Sequence, residues 1–409
     1  MSANPKVIPL NSVHQVKSVQ QSNVQQNFKN VTSFLLEGVE DGVAPGMVLL
    51  AGRAGQVVYS NAVGKRYVKQ RGSDASDDAS NIMSQDTVFD VASLTSLVVT
   101  TTLVMRLVEN GKLKLDDKVS RYIQGFSVLG KSQITIANLL SHTSGIASWA
   151  PLFEELVKAN SGSRLGILTS KGAKDYILNS LVRMPLKHEP GTKQVYSELG
   201  YILLGYIVEM LTGVTLDKAA HKIIFQPLTM KSSSYIDLSM IKRRGIHPVT
   251  DLIAPTEDCP WRKRILCGEV HEDNAWAMGG VAGHSGLFTN AFDLHIFASE
   301  ILAACGNNSS YLKRQTLSDF WRIPDVVNPE GWRYGWDSVS RENGMDDSRL
   351  SKNAVGICGF SGCSLWLEPE NSVDIILMTN RIHPSRSNKK IIAFRSELHS
   401  LVSDALKAS

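Results

Sequence analysis

Two hydroxyls, a thiol and three imidazoles in this sequence are of the types that attack a carbonyl or move a proton. Ser93 immediately precedes Leu94–Glu109, a stretch apolar almost all round that ends near Gly111, so it stands at the start of a buried helix. A serine hydroxyl attacks an acyl carbon when a base takes its proton, but serine is also favoured at a helix start merely for capping. Tyr196 could pass that proton if a cation lowered its pKa from about 10; otherwise its ring packs and its hydroxyl holds a structural hydrogen bond. Cys358 is either a thiol nucleophile or a small buried filler. His142, His271 and His284, in Gly- and Ser-rich turns, are competent bases at neutral pH or structural hydrogen-bonding groups. His271-Glu272-Asp273 has no second ligand pair at helical spacing, and Gly279-Gly280 and Gly283 lack the pattern that cradles phosphate. No metal and no cofactor are expected.

The elements that must position these groups follow from periodicity. Phe28–Gly42 carries apolar residues at helical spacing, and Met47–Ala51 and Gln56–Val63 are β-rich runs joined through Arg53, Ala54 and Gly55, which predicts an antiparallel hairpin. Residues 70–81 are rich in Ser, Asp and Ala without period, the pattern of a solvated loop. From Ile134 to about Gly306 the pattern is mostly helical, including Val195–Thr212 and Ala291–Ala304. Ser364–Glu368 and Val373–Thr379 return to strand across the turn at Pro369–Ser372, and Lys389–Ala408 reads as a closing amphipathic helix. The predicted fold is α/β: an antiparallel sheet assembled from both termini, flanked by helices, with an inserted helical lobe. Residues 1–27 are a polar leader and 28–409 one domain, its sheet lobe about 28–120 and 330–409, its helical lobe about 121–329.

The chain has 409 residues, 43% of them hydrophobic, enough for a large core. A net charge of +4 is too mild to point to nucleic acid. Apolar runs such as Ile202–Val208 are far shorter than the roughly 18 residues of a membrane span. No secretory pattern opens the sequence, so a soluble, cytoplasmic protein is expected. Five cysteines without a C-x-x-C pair fit reduced thiols. Nothing in the sequence marks an oligomeric state.

The segment Phe89-Asp90-Val91-Ala92-Ser93-Leu94-Thr95-Ser96 resembles the nucleophile segment of the serine β-lactamase and penicillin-binding-protein superfamily, with Ser96 where its S-x-x-K motif has lysine. Tyr196-Ser197-Glu198 resembles the Y-x-N or Y-S-D element of the class C β-lactamase, esterase and D-Ala-D-Ala carboxypeptidase branch. Ile357-Cys358-Gly359 matches its K-T-G or H-T-G element only at glycine. Landmarks at 139–146, 191–192, 268–276, 279–288 and 379–384 extend the likeness over roughly residues 28 to 407.

The resemblance implies that a cleft between the lobes holds Ser93 and Tyr196 as catalytic residues, live or vestigial, and that Ser96, Glu198, Ile357, Cys358 and Gly359 line the substrate site. Ser96 is no base near neutral pH, and Ile357 can neither donate a hydrogen bond nor offer a charge. The leading expectation is therefore an impaired hydrolase that keeps a cleft for a small-molecule or peptide ligand, peptidoglycan-like or acyl. The alternative is an active esterase, amidase or carboxypeptidase in which Tyr196 or a histidine serves Ser93 as base.

Overall fold

The computed structural model describes residues 26–68, 81–161, 167–246, 248–324, 331–339, 345 and 348–408. Most of the polar leader and of the predicted 70–81 loop lies outside them. Asn81, at the loop's end, is described and exchanges side-chain hydrogen bonds with the Tyr67 backbone.

Helix α1 (Lys29–Glu40) leads into strands β1 (Gly46–Arg53) and β2 (Gln56–Gly64). Ala54 and Gly55 between them both have positive φ, the conformation of a tight two-residue hairpin turn. Short strands β3 (Phe89–Asp90), β4 (Ser234–Tyr235), β5 (Asp258–Cys259), β6 (Arg264–Ile265) and β7 (Leu287–Thr289) follow, then β8 (Asp337–Ser338), β9 (Val355–Cys358), β10 (Ser364–Glu368) and β11 (Val373–Thr379). The longer helices that position the site or cover the sheet are α2 (Thr102–Glu109), α3 (Glu198–Thr212), α4 (Ala291–Cys305) and α5 (Ile391–Lys407). No single helix among the described residues is long and apolar enough to cross a membrane.

The main sheet runs β2-β1-β11-β10-β9-β8, every neighbour antiparallel, so its strands do come from both ends of the chain. Period-two alternation divides the buried side chains between two cores. Val48, Leu50, Ile376 and Met378 join the cluster that extends through the middle of the molecule to Leu97, Leu103 and Leu203. Met47, Leu49, Ala51, Ile375 and Leu377 face the other way, against Val31 and Leu35 of α1 and Phe394, Leu398 and Val402 of α5. A sheet buried on both faces explains why β1 and β11 read as almost continuous apolar runs.

Two features go beyond the sequence reading. β4 and β7 lie within the mostly helical insertion and pair with β3, from before it, in a small second sheet. The helix expected over 94–109 opens with a π-helical turn, Ser96–Thr101, that passes into α2. Threonine hydroxyls serve this widened turn, Thr102 Oγ1 donating to the Leu97 carbonyl and Thr100 Oγ1 to that of Gly283 at 2.6 Å.

The loop that receives the Thr100 bond is pressed against α3. A Cβ on Gly283 would lie 2.1 Å from the Tyr201 carbonyl oxygen and 3.0 Å from Gly205 Cα, backbone that cannot swing aside. Gly283→Ala should therefore destabilise the protein by about 1–3 kcal/mol, the usual cost of overpacking. A thermal melt coincident with that of the parent would show that the contact has slack.

Candidate active site

The turn that carries Ser93 is assembled by a buried carboxylate. Asp90, at the end of β3, accepts from the Ala92 N–H at 3.0 Å and from the His271 N–H at 2.7 Å. These bonds help hold Ala92 at φ +49, a left-handed conformation uncommon for a residue with a side chain. Thr95 Oγ1 locks the other side, donating to the Ala92 carbonyl at 2.7 Å and accepting from the Leu287 N–H at 3.1 Å. Burial raises the pKa of Asp90, opposed by the two N–H groups and by His271 and Arg262.

Ser93 is 7% exposed and faces Tyr196. The Tyr196 hydroxyl is buried and makes no regular hydrogen bond with any described group. Burial, reinforced by the nearby Glu198 carboxylate, pushes the phenol far above its usual pKa, and the contact with Ser93 recovers little. The ring is packed as well, 4.7 Å from that of His142 and 5.4 Å from that of Trp332.

Ser96 lies in the π-helical turn, 2% exposed, its hydroxyl 3.4 Å from the His284 carbonyl that accepts its bond. Tyr196 therefore has no lysine ammonium at this position to lower its pKa. Ser197 caps α3 by accepting from the Gly200 N–H, which sets Glu198 at the head of that helix.

Glu198 meets two partners distant in sequence. One ligand atom each from Glu198, Glu272 and His284 lie within 4.8 Å of one another, and His284 Nε2 stands 2.7 Å from Glu272 Oε2. Glu272 also accepts from the Ala275 N–H and from Trp149 Nε1. The two carboxyls are driven apart electrostatically. Burial and the charge of Glu272 raise Glu198 to about 7. Burial would raise Glu272 too, but His284 overrides it and brings the carboxyl to about 2. His284 in turn is depressed by burial, yet its pairing with Glu272 lifts it above the ordinary imidazole value. Among the described residues these three could also hold a metal ion, a grouping no helical spacing reveals.

The third strand element contributes unevenly. A Cβ on Gly359 would lie 2.7 Å from the Val91 carbonyl oxygen and 3.1 Å from Leu94, so this glycine allows the end of β9 to close on the nucleophile turn. Ile357 is 1% exposed and belongs to the central apolar cluster. Cys358 points to the opposite face, beside Trp366 and Arg395, and burial raises its thiol above the usual value. Ser93, Tyr196, Ser96 and Gly359 thus converge, Glu198 joins through its cluster, and the Cys358 thiol does not.

The other histidines are engaged in packing and pairing. His142 Nδ1 accepts from the Ser197 N–H at 3.0 Å, which leaves its proton on Nε2. His271 Nε2 pairs with Glu257 Oε2 at 3.0 Å, and its ring stacks on Phe360. Asp90 is a site position to which sequence reasoning gave no role, and His284, one of the three candidate imidazoles, is found paired with Glu272. Both lie inside recognisable landmarks of the sequence, but nothing in their spacing shows where they converge.

The family model described as Beta-lactamase matches residues 31–399. The chain belongs to the Beta-lactamase family. This Beta-lactamase-family chain is 33% identical over 362 residues to an N-acetylmuramyl-L-alanine amidase of Bacillus subtilis (strain 168), covering 83% of this chain and 78% of that one. It is 29% identical over 326 residues to a putative D-alanyl-D-alanine carboxypeptidase of Salmonella typhi, covering 75% and 72%. Its fold is shared by EstCE1, a hydrolase with promiscuous acyltransferase activity, at a TM-score of 0.67 and 20% identity over 93% of this chain and 100% of that one. The octameric penicillin-binding protein homologue from Pyrococcus abyssi superposes with a TM-score of 0.64 and 21% identity, over 90% and 76%. The Beta-lactamase family and its α/β fold are those implied by the ordered motifs.

Burial lowers His142 from 6.5 to about 3, so the unfolded chain takes up a proton that the folded site refuses. The stabilising effect of a neutral His142 is complete above about 6.5 and is lost as pH falls from there toward 3. In urea denaturation between pH 7 and 4.5, His142→Asn should show a shallower loss of stability than the parent. Equal slopes would refute the assignment.

Proposed function

We propose that this member of the Beta-lactamase family is a serine hydrolase impaired in acylation, whose cleft retains a site for a peptidoglycan-like or acyl ligand. The observation that carries this reading is the environment of Ser93: its hydroxyl faces Tyr196, a phenol that keeps its proton, with Ser96 in place of a lysine. A positioned general base is worth about 10²–10⁴-fold in rate, and a neutral phenol beside a carboxylate cannot supply it directly. The nucleophile turn, the Tyr196 contact and the close approach of Gly359 meanwhile preserve the site's framework. The ligand class is supported by the relatives, named for N-acetylmuramyl-L-alanine and D-alanyl-D-alanine, and by EstCE1, a hydrolase with promiscuous acyltransferase activity, which makes an acyl group the common element.

The lost base is testable by restoring it. Ser96→Lys, alone and combined with Ile357→His and Cys358→Thr, should raise p-nitrophenyl ester or nitrocefin turnover by about 10²–10⁴-fold over the parent. The gain should vanish when Ser93→Ala is added. A parent that already matches the restored variants would mean that another group fully replaces the lysine.

A further inference from the structure

Exposed aliphatic side chains gather beside a cluster of cations outside the cleft. The helix Leu238–Arg244 ends in Lys242, Arg243 and Arg244, all exposed, and none of the three forms an ion pair among the described residues. Cations suit the last turn of a helix, whose carbonyls carry partial negative charge, but that accounts for no apolar side chain around them. Gly245 turns the chain at φ +62, and Ile246 follows, exposed. Pro248 and Thr250 then pack on Gly268, where a Cβ would stand 3.0 and 2.9 Å from them, so Val249 between them projects outward, 82% exposed. Leu252 repeats the pattern. Its carbonyl accepts from the Val88 N–H and Ile253 is buried behind it, which leaves the leucine 53% exposed. Asp251 is the only carboxylate between residues 242 and 252.

Two neighbouring segments extend this face. Asn380 Nδ2 donates to both the Arg66 and the Pro255 carbonyls, which joins the chain at 65–67 to the stretch after Leu252. Ile82, bridged to Lys65, is exposed between buried Asn81 and Met83. Cys267 Sγ donates to the Ile253 carbonyl at 3.5 Å, and Ile265, two residues earlier, is exposed beside Lys263.

We infer that this face docks on the surface of an anionic lipid bilayer, with Val249 and Leu252 entering the headgroup region and Lys242, Arg243 and Arg244 meeting the lipid charges. Single surface aliphatics need no explanation, whereas a group of them beside unpaired cations does. The net charge is only +4, so the attraction comes from the local cluster and not from the chain as a whole. A nucleic acid would satisfy the cations but leave the aliphatics against solvated phosphates. A bilayer interface takes both. The docking face and the nucleophile turn also share a loop: Gly268, on which Pro248 and Thr250 rest, precedes by three residues His271, whose N–H donates to Asp90. Docking does not depend on how Ser93 reacts.

The test is sedimentation of the full chain with sucrose-loaded vesicles of phosphatidylcholine, alone or with about 30% phosphatidylserine, at about 0.1 and 0.5 M NaCl. The parent should bind the phosphatidylserine vesicles about tenfold or more tightly than the neutral ones and lose that preference at high salt. Arg243→Gln/Arg244→Gln should weaken binding about 25-fold, near fivefold for each cation removed. Val249→Ser/Leu252→Ser should weaken it about tenfold at unchanged charge. Lys389→Gln/Ile392→Ser, an exposed pair at the start of α5, should bind as the parent does. Thermal melts of all three variants should coincide with the parent's, because every altered side chain is exposed. Binding to neither vesicle, or to both equally, overturns the inference. A Val249→Ser/Leu252→Ser variant that binds as the parent does also overturns it, since charge alone would then be at work, and its capture of a DNA duplex with equal affinity would make nucleic acid the partner.

Discussion

The site depends on the burial of Asp90. Its carboxylate joins the nucleophile turn to the 271 loop through two backbone N–H groups, and neither segment has another short tie to the other among the described hydrogen bonds. A buried carboxylate requires compensation, which the two N–H groups and the nearby Arg262 guanidinium supply. Arg262 donates to the Val270 and His271 carbonyls and to Asp273, sandwiched against Trp261 and Trp276. Glu257 takes a two-pronged pairing from Arg386 and faces His271. This network fixes the loop from which Glu272 reaches the site, so the turn bearing Ser93 and the cluster bearing Glu198 rest on one foundation.

That foundation persists in a site whose charge balance has changed. With serine at position 96, the carboxyl groups of Glu198 and Glu272 share the imidazole of His284, and the phenol of Tyr196 lies near the Glu198 charge with no lysine at position 96 to offset it. On the proposed reading Tyr196 holds its proton and Ser93 lacks a direct base, while burial and then the charge of Glu272 raise Glu198 to about 7. The bonds that shape the turn are made by backbone groups, Asp90 and Thr95, none of which needs a lysine at position 96.

Much of the fold was legible because its signals are local. The hairpin of β1 and β2, the pair β10 and β11, and the helices at both ends each announce themselves by periodicity and by turn residues such as Ala54-Gly55. Strands of two or three residues, such as β3, β4 and β7, carry too little pattern to be seen, and the π-helical turn depends on threonine hydroxyls meeting a loop nearly two hundred residues away. At the site, Ser93, Tyr196 and Gly359 could be placed by motif. Strand alternation separates Ile357 from Cys358, yet which of them faces the main core is decided by the register of β9 on β10. The meeting of Glu198 with Glu272 and His284 is tertiary, and the single substitution visible at position 96 says nothing about it.

The central claim is that Tyr196 stays a neutral phenol because burial and the nearby Glu198 carboxyl raise its pKa, with serine rather than lysine at position 96. The direct measurement is a carbon NMR titration of protein labelled at the tyrosine ζ-carbon, with the Tyr196 signal assigned by its loss in Tyr196→Phe. The account predicts that this resonance remains that of a phenol beyond the ordinary value of about 10. Ionisation of Tyr196 at or below about 9 would contradict it, since some group would then be supplying the positive field that the missing lysine cannot.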